Sequence, residues 1–121
     1  MRVLAIDHIN IAGPSDLIAR CRTFYTEILG LIDGHRPPFR SRGFWLYAGD
    51  QPVVHLTEND RNGAQSGPFN HFAFACEGID DAIARLEAHA IPFERDDVPA
   101  TRQTQLFLKD PAGISLELNF R

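Results

Sequence analysis

The sequence predicts an α+β domain made of two tandem βαβββ modules that together form a curved, half-barrel-like sheet. The same order of strand-like and helix-like segments occurs twice within the 121 residues, and matching residues recur at nearly equal spacing. Neither half has enough elements to close a sheet alone, so paired modules are the economical architecture. We expect one domain, with module one over about residues 1–58, a linker over about 59–68 and module two over about 69–121.

Module one is predicted to run strand, helix, strand, strand, strand. Apolar residues at helical spacing predict a helix over 16–29, with Ser15 or Asp16 as its cap and Gly30 as its C-terminal stop. The runs rich in Val, Ile and aromatic residues, each bounded by turn-forming residues, predict strands over 3–12, 31–35, 44–47 and 52–56.

Module two repeats this order after the polar, glycine-rich linker. Ile79, Ile83, Leu86 and Ala90 share one face of a predicted helix that is capped near Asp80. The segment NHFAFAC and three later runs predict strands over 70–76, 93–95, 104–108 and 114–120.

Composition excludes several classes of function. A formal charge of −4 and a pI near 5.6 argue against nucleic acid as a partner, and no apolar run reaches the length of a membrane span. Small molecules are the expected partners. Cys21 and Cys76 are expected to be small buried hydrophobic residues without a disulfide. Because the N-terminal segment lacks the layout of a secretory signal, we expect a cytoplasmic protein.

Four residues with metal-ligating side chains occupy equivalent places in the two modules. His8 and His55 are 55 − 8 = 47 residues apart, and His71 and Glu117 are 117 − 71 = 46 residues apart. In each module the first of the pair falls on the first strand and the second on the last strand. His35 and His89 have no such partners and are expected at the surface.

Strand alternation predicts that these four side chains point away from the helices. Glu117 lies between the apolar Leu116 and Leu118, while His71 shares its face with small alanines that leave room for a ligand. Three imidazoles and one carboxylate suit Zn, Ni, Co, Fe or Mn. With two coordination positions open, such a metal could chelate two adjacent substrate oxygens, either as a Lewis acid or as a redox centre for dioxygen.

Cationic and aromatic residues alternate between Arg36 and Trp45. Arg42 and Trp45 could pair with a substrate carboxylate or phosphate at the mouth of a pocket. Equally, this segment could be a solvated loop over a core Trp45. Arg102 and Gln105, near a predicted pocket-lining strand, are weaker candidates for contacting substrate.

Four segments resemble the glyoxalase / bleomycin-resistance / extradiol-dioxygenase superfamily, also called vicinal oxygen chelate. They are FYTEILGL (24–31), HLTEN (55–59), NHFAFAC (70–76) and DPAGISLEL (110–118), and the resemblance covers nearly the whole chain. It implies paired βαβββ modules and metal ligands at His8, His55, His71 and Glu117. The glyoxalase I branch, which the chain most resembles in length and ligand layout, implies a homodimer with a site shared between its chains.

The resemblance also implies roles for single residues. Glu117 matches a glutamate that can leave the metal to move a proton, which makes it the candidate general base, and His55 could share that work. Asn59 matches an asparagine that contacts glutathione. The chain departs from glyoxalase I in having His55 in place of Glu or Gln, and Ala12 in place of the arginine that holds glutathione.

Three functions follow from these observations. The first is a metal-dependent lyase or isomerase acting on a small vicinal-oxygen substrate. The second is an Fe(II) ring-cleaving dioxygenase, since two His and one Glu form the ligand set that dioxygen chemistry favours. The extra ligand His55 argues against it. The third is a binding protein that sequesters a drug or metabolite without turnover, and the retention of all four ligands argues against that.

Overall fold

Two four-stranded mixed sheets and two α-helices make up the part of the chain that the structure describes. The structure is a computed structural model that describes residues 1–59, 68–69 and 71–121. The chain divides into two compact units, Met1–Ala64 and Gln65–Arg121. Most of the predicted linker, residues 60–67, and Asn70 of the predicted fifth strand lie outside the described residues.

The first unit contains four strands, one α-helix and a π-helical segment, Phe24–Ile28, which directly follows the α-helix. In chain order its strands and α-helix are β1 (Ile9–Gly13), α1 (Ser15–Thr23), β2 (Ile32–Gly34), β3 (Gly43–Ala48) and β4 (Gln51–Glu58). The strand order in the sheet is β1-β4-β3-β2, with β1 parallel to β4 and the other pairs antiparallel.

The second unit repeats this arrangement. In chain order its elements are β5 (His71–Cys76), α2 (Ile79–Ala88), β6 (Glu94–Val98), β7 (Gln103–Lys109) and β8 (Ser115–Phe120). The strand order is β5-β8-β7-β6, again with the first strand parallel to the last. The predicted α+β class with two βαβββ modules is therefore confirmed.

The first strand is shorter than predicted. The sequence predicts residues 3–12, whereas β1 begins at Ile9 and leaves residues 3–8 and their apolar side chains exposed. The register, in which Ile9 lies opposite Val54, would place Asp7 opposite Pro52. Proline has no amide hydrogen to donate, so it does not support an extension of the parallel ladder.

The helix ends also differ from the predictions. The first helix changes to a π-helix at Phe24, and both Phe24 and Tyr25 are buried there. A wider turn of this kind is rare and commonly marks a local irregularity in an α-helix. The N-cap of α1 is Pro14, without a side-chain cap, and that of α2 is Gly78 at φ 80° rather than Asp80. Gly30 does end the first helix, at φ 78°.

The core of each unit lies on one face of its sheet. Ile11, Leu46, Val54 and Leu56 are buried in the first unit, together with the α1 residue Ile18. The second unit buries the corresponding apolar residues of its last two strands and one residue of α2: Leu106, Leu108, Leu116, Leu118, Phe120 and Leu86. The polar residues between them therefore point to the other face. No helix in the described ranges is long and apolar enough to span a membrane.

Candidate metal centre

The strand registers place the four predicted ligands in equivalent positions. Asn10 of β1 lies opposite His55 of β4, and Ala73 of β5 lies opposite Glu117 of β8. His71, on β5, stands two residues before Ala73 and lies diagonally across from Glu117. His8 stands two residues before Asn10 but lies just outside β1, which begins at Ile9, so it is not on the first strand as the sequence predicts. Opposite residues and residues two apart share a face of a sheet. The equivalence inferred from spacing is thus present in the hydrogen-bond register.

In the second unit, His71 and Glu117 come together. His71 Nε2 lies 3.5 Å from Glu117 Oε2, which is beyond the usual length of a hydrogen bond. Two ligands that bind one ion at about 2.1 Å stand about 3.0 Å apart at a right angle and about 3.4 Å apart in a tetrahedron. The spacing of these two atoms therefore fits a pair of ligands to one metal ion.

Glu117 is held in place by a neighbour that sequence reasoning ranked low. The Gln105 side chain donates from Nε2 to Glu117 Oε1 at 2.7 Å, so only Oε2 faces His71. Glu117 is 7% exposed, which is unusual for a carboxylate. A buried carboxylate fixed through one oxygen and open through the other has the character of an oriented ligand.

In the first unit, His55 lies in a stack of three rings. Its imidazole lies between that of His8, with centroids 3.9 Å apart, and the indole of Trp45, with centroids 4.1 Å apart. The nitrogen lone pairs lie in the ring planes, so two imidazoles stacked 3.9 Å apart at an interplanar angle of 15° do not aim their lone pairs at one nearby point. Asp7 Oδ2 lies 2.7 Å from Nδ1 of His8, which favours a proton on that nitrogen and leaves Nε2 as the lone-pair atom.

His55 Nε2 is buried and has no hydrogen-bond partner in the described structure. Burial, and secondarily the nearby His8, lower the pKa of His55, so its imidazole is neutral at pH 7. An unpartnered buried nitrogen costs free energy unless something binds it. These features fit a metal ligand.

Each unit brings its own two candidate ligands into proximity, His8 with His55 and His71 with Glu117. Among the described residues, no group of three or more His, Cys, Asp and Glu side chains is arranged to hold a metal ion. The donor chemistry of each pair still fits a borderline divalent cation. His8 is the one candidate ligand that lies outside a strand, in the exposed segment before β1.

Of the four predicted substrate residues, Trp45 contacts a candidate ligand, His55. Arg42 is exposed just before β3. Asn59 follows β4, and its backbone N–H donates to the Gly13 carbonyl. Arg102 lies exposed in the turn between β6 and β7 at φ 55°. Among the contacts described for Arg42 and Arg102, none joins either residue to one of the four ligands.

Arg36 is the cation near His55 that the sequence analysis did not select. Its charge contributes to the lowered pKa of His55, and its Nε is buried without a partner in the described structure. Its guanidinium donates to the carbonyl and hydroxyl oxygens of Ser41 and lies over Phe39. It packs against Gly43, where an added Cβ would lie 3.2 Å from the guanidinium carbon and 2.0 Å from the carbonyl oxygen of Leu56. The alternation of cations and aromatics indicated the segment but not the residue.

Comparison with known proteins agrees with this fold. The chain is 30% identical to the uncharacterized protein YaeR of Escherichia coli (strain K12), with 93% of each chain covered. It is similar to the glyoxalase family protein of Enterococcus faecalis, at 29% identity and a TM-score of 0.68, with 95% of this chain and 96% of that chain covered.

A second solved structure shares the fold at lower identity. It is a mutant of the fosfomycin resistance protein FosX from Listeria monocytogenes, complexed with Mn(II) and a dihydroxypropylphosphonic acid. The identity is 15% and the TM-score 0.69, with 97% of this chain and 92% of that chain covered, so the likeness concerns the fold alone. The model of one protein family matches residues 5–118. The chain therefore belongs to the Glyoxalase/Bleomycin resistance protein/Dioxygenase superfamily.

Proposed function

We propose that the protein is a metal-dependent lyase or isomerase of the glyoxalase type, acting on a small substrate with two vicinal oxygens. Its metal ligands are His8, His55, His71 and Glu117, contributed as one pair from each module. The observation that supports this most is the pair His71 and Glu117, spaced 3.5 Å apart with the carboxylate buried and held by Gln105. Three imidazoles and one carboxylate suit Zn, Ni, Mn, Co or Fe.

Each residue has a defined part in this proposal. A divalent cation at this site would polarise the two chelated substrate oxygens and acidify the adjacent C–H bond. Glu117 Oε2, which would leave the metal for this step, takes that proton and returns it to the neighbouring carbon, so the isomerisation leaves the number of atoms and electrons unchanged. His55, neutral at pH 7, serves as a ligand or, when it is not bound to the metal, as an alternative proton acceptor to Glu117.

The charge of the ligand set favours an acidic substrate. Three of the four ligands are neutral imidazoles, so Glu117 alone offsets the +2 charge of a divalent ion. Such a site holds an anionic chelating substrate more strongly than one with two carboxylate ligands does. By analogy with the superfamily, we also propose a homodimer with a shared site, and a cytoplasmic location.

The first test is metal binding. Metal-free protein is titrated with Ni, Zn, Mn and Fe(II) against a competing chelator, together with His71→Ala, Glu117→Ala and the control His89→Ala, whose histidine is exposed after α2. We expect the first two variants to lose at least about a hundredfold in affinity and the control to match the wild type. Absence of metal binding, or equal affinity in all variants, overturns the proposal.

The second test separates the reaction classes. A panel of small α-hydroxycarbonyl compounds is incubated with loaded protein in D₂O, with and without glutathione, and followed by NMR. Deuterium entering the carbon next to the carbonyl supports proton transfer. Oxygen uptake with catechols and Fe(II) instead assigns the dioxygenase. Tight binding of an aromatic compound without turnover, unchanged by His71→Ala, assigns the binding protein.

A further inference from the structure

A cavity of about 750 Å³ lies in the second unit beside His71. Its volume is within the range of about 300–1,000 Å³ that is typical of sites for small molecules. Most of its lining is apolar, and the polar side chains are few. Its lining includes Phe93, Phe107, His71, Ser115, Lys109 and Glu94.

The strand register places three hydrogen-bond donors in one row at this cavity. His71 of β5 lies opposite Ser115 of β8, and Ser115 lies opposite Lys109 of β7. Neighbouring strands are about 4.8 Å apart, so the row spans about 10 Å. All three side chains are on the same face as Glu117, which follows Ser115 by two residues. The polar end of the cavity therefore adjoins the candidate ligand pair.

Lys109 is the only lysine of the chain, which has eleven arginines. It is exposed, and no carboxylate in the described ranges pairs with it. Glu94 lies opposite Phe107, one row further along the same face, and forms no ion pair with Lys109. A ligand acid is thus attracted to the Lys109 end and repelled from the Glu94 end.

We infer that this cavity binds a small molecule with an aromatic or other apolar body and one anionic oxygen group. The apolar body lies against Phe93 and Phe107. The acid, a carboxylate or a sulfonate, accepts hydrogen bonds from Lys109 and Ser115. The inference names the substrate class of the proposed metal site and in that sense rests on the proposed function, but binding of the acid itself needs no metal.

The test uses benzoate and benzenesulfonate as probes, with benzamide as a neutral match for benzoate. Dissociation constants are measured by NMR titration of metal-free protein for wild type, Lys109→Met, Lys109→Arg and Arg85→Met. Arg85 is a control cation on α2, paired with Asp81. We expect benzoate to bind about tenfold more weakly to Lys109→Met. The Lys109→Arg and Arg85→Met variants should bind benzoate with nearly the wild-type affinity. Lys109→Met should bind benzamide with nearly the wild-type affinity. Whichever of benzoate and benzenesulfonate has the lower dissociation constant identifies the preferred anionic group.

The single lysine gives a second measurement that needs no substitution. Reductive methylation with ¹³C-formaldehyde labels only Lys109 and the N-terminal amine. Benzoate should shift the Lys109 signal and leave the N-terminal signal in place. Equal affinity for benzoate and benzamide, an unchanged Lys109 signal, or full benzoate affinity in Lys109→Met overturns the inference. Protein that binds benzoate but no metal counts against the proposed function alone. Protein that binds metal but not benzoate counts against the inferred acid-binding cavity alone.

Discussion

Replacing Gln105 by leucine tests whether the carboxylate of Glu117 is held in place by its neighbour. The substitution keeps the approximate size of the side chain and removes the amide that donates to Glu117 Oε1 at 2.7 Å. Glu117 is 7% exposed, so water cannot readily replace the lost donor. We expect both the stability of the fold and the affinity for metal to fall.

The size of the stability change follows from the type of hydrogen bond. A hydrogen bond to a charged partner contributes about 1.5–3 kcal/mol to stability. When its partner is removed, a buried charged group stays desolvated without compensation, so most of that contribution is lost. The free energy of unfolding of metal-free Gln105→Leu should therefore be about 2 kcal/mol below wild type. For a urea dependence of about 2 kcal/mol per molar, the midpoint falls by about 1 M. Metal affinity should fall about tenfold to a hundredfold, as when other residues that orient a ligand are removed.

Urea denaturation and chelator competition measure the two effects. The matched control is Gln103→Leu, two residues away on the same strand, where the glutamine accepts only from the Thr101 hydroxyl at 3.1 Å. That control should change stability by no more than about 0.5 kcal/mol. In a Glu117→Leu background, Gln105→Leu should lose most of its effect. Equal losses in the two glutamine variants, or an undiminished loss in the double variant, would refute the argument that Gln105 acts through Glu117.

Three further predictions concern the core, a thiol and a histidine. Leu106 is fully buried opposite Leu118, so Leu106→Ala should lower the free energy of unfolding by about 2–5 kcal/mol, and a loss below about 1 kcal/mol would contradict the packing. Burial raises the pKa of the Cys76 thiol, so iodoacetamide at pH 7.5 should alkylate it more slowly than a cysteine peptide; equal rates would contradict this. Burial lowers the pKa of His55, so in metal-free protein its NMR titration midpoint should lie below 6.5, whereas a midpoint at or above 6.5 would show an exposed ring.

The His55 prediction also fixes the sign of a pH effect on stability. In the unfolded chain the His55 imidazole is protonated at about pH 6.5, and in the folded chain its lowered pKa delays protonation to lower pH. The stability that the neutral ring contributes is therefore complete above about pH 6.5 and is lost as the pH falls toward the lower folded pKa. His55→Gln should flatten this part of the stability profile, because glutamine has no proton to gain.

The repeat could be predicted from the sequence because it is set by topology. In both units the last strand pairs with the first, so ligands on those strands must have nearly the same separation along the chain. The strand register shows the same offset in both units, because Asn10 lies opposite His55 and Ala73 lies opposite Glu117. Alternation along β8 likewise predicted that Glu117 points away from the apolar face.

Other features depend on contacts between distant residues and could not be predicted. The row of His71, Ser115 and Lys109 exists only because three strands align, and nothing in the local sequence around Lys109 indicates it. Gln105 reaches Glu117 across neighbouring strands, which alternation alone does not show. The stacking of His8 on His55 depends on where β1 begins, and that start depends on Pro52 in another strand.

The parallel pairing of first and last strands has a consequence for the order of folding. In each unit this contact joins residues more than forty positions apart, whereas β2, β3 and β4, like β6, β7 and β8, pair with near neighbours in the chain. Contacts of long sequence separation carry the largest loop-closure entropy and limit the folding rate. His71 and Glu117 meet only when that contact has closed, so a metal ion bound at the proposed site would select the completed unit and slow its local opening. Hydrogen exchange of the β5 amides should therefore slow on metal addition far more than that of the β6 amides.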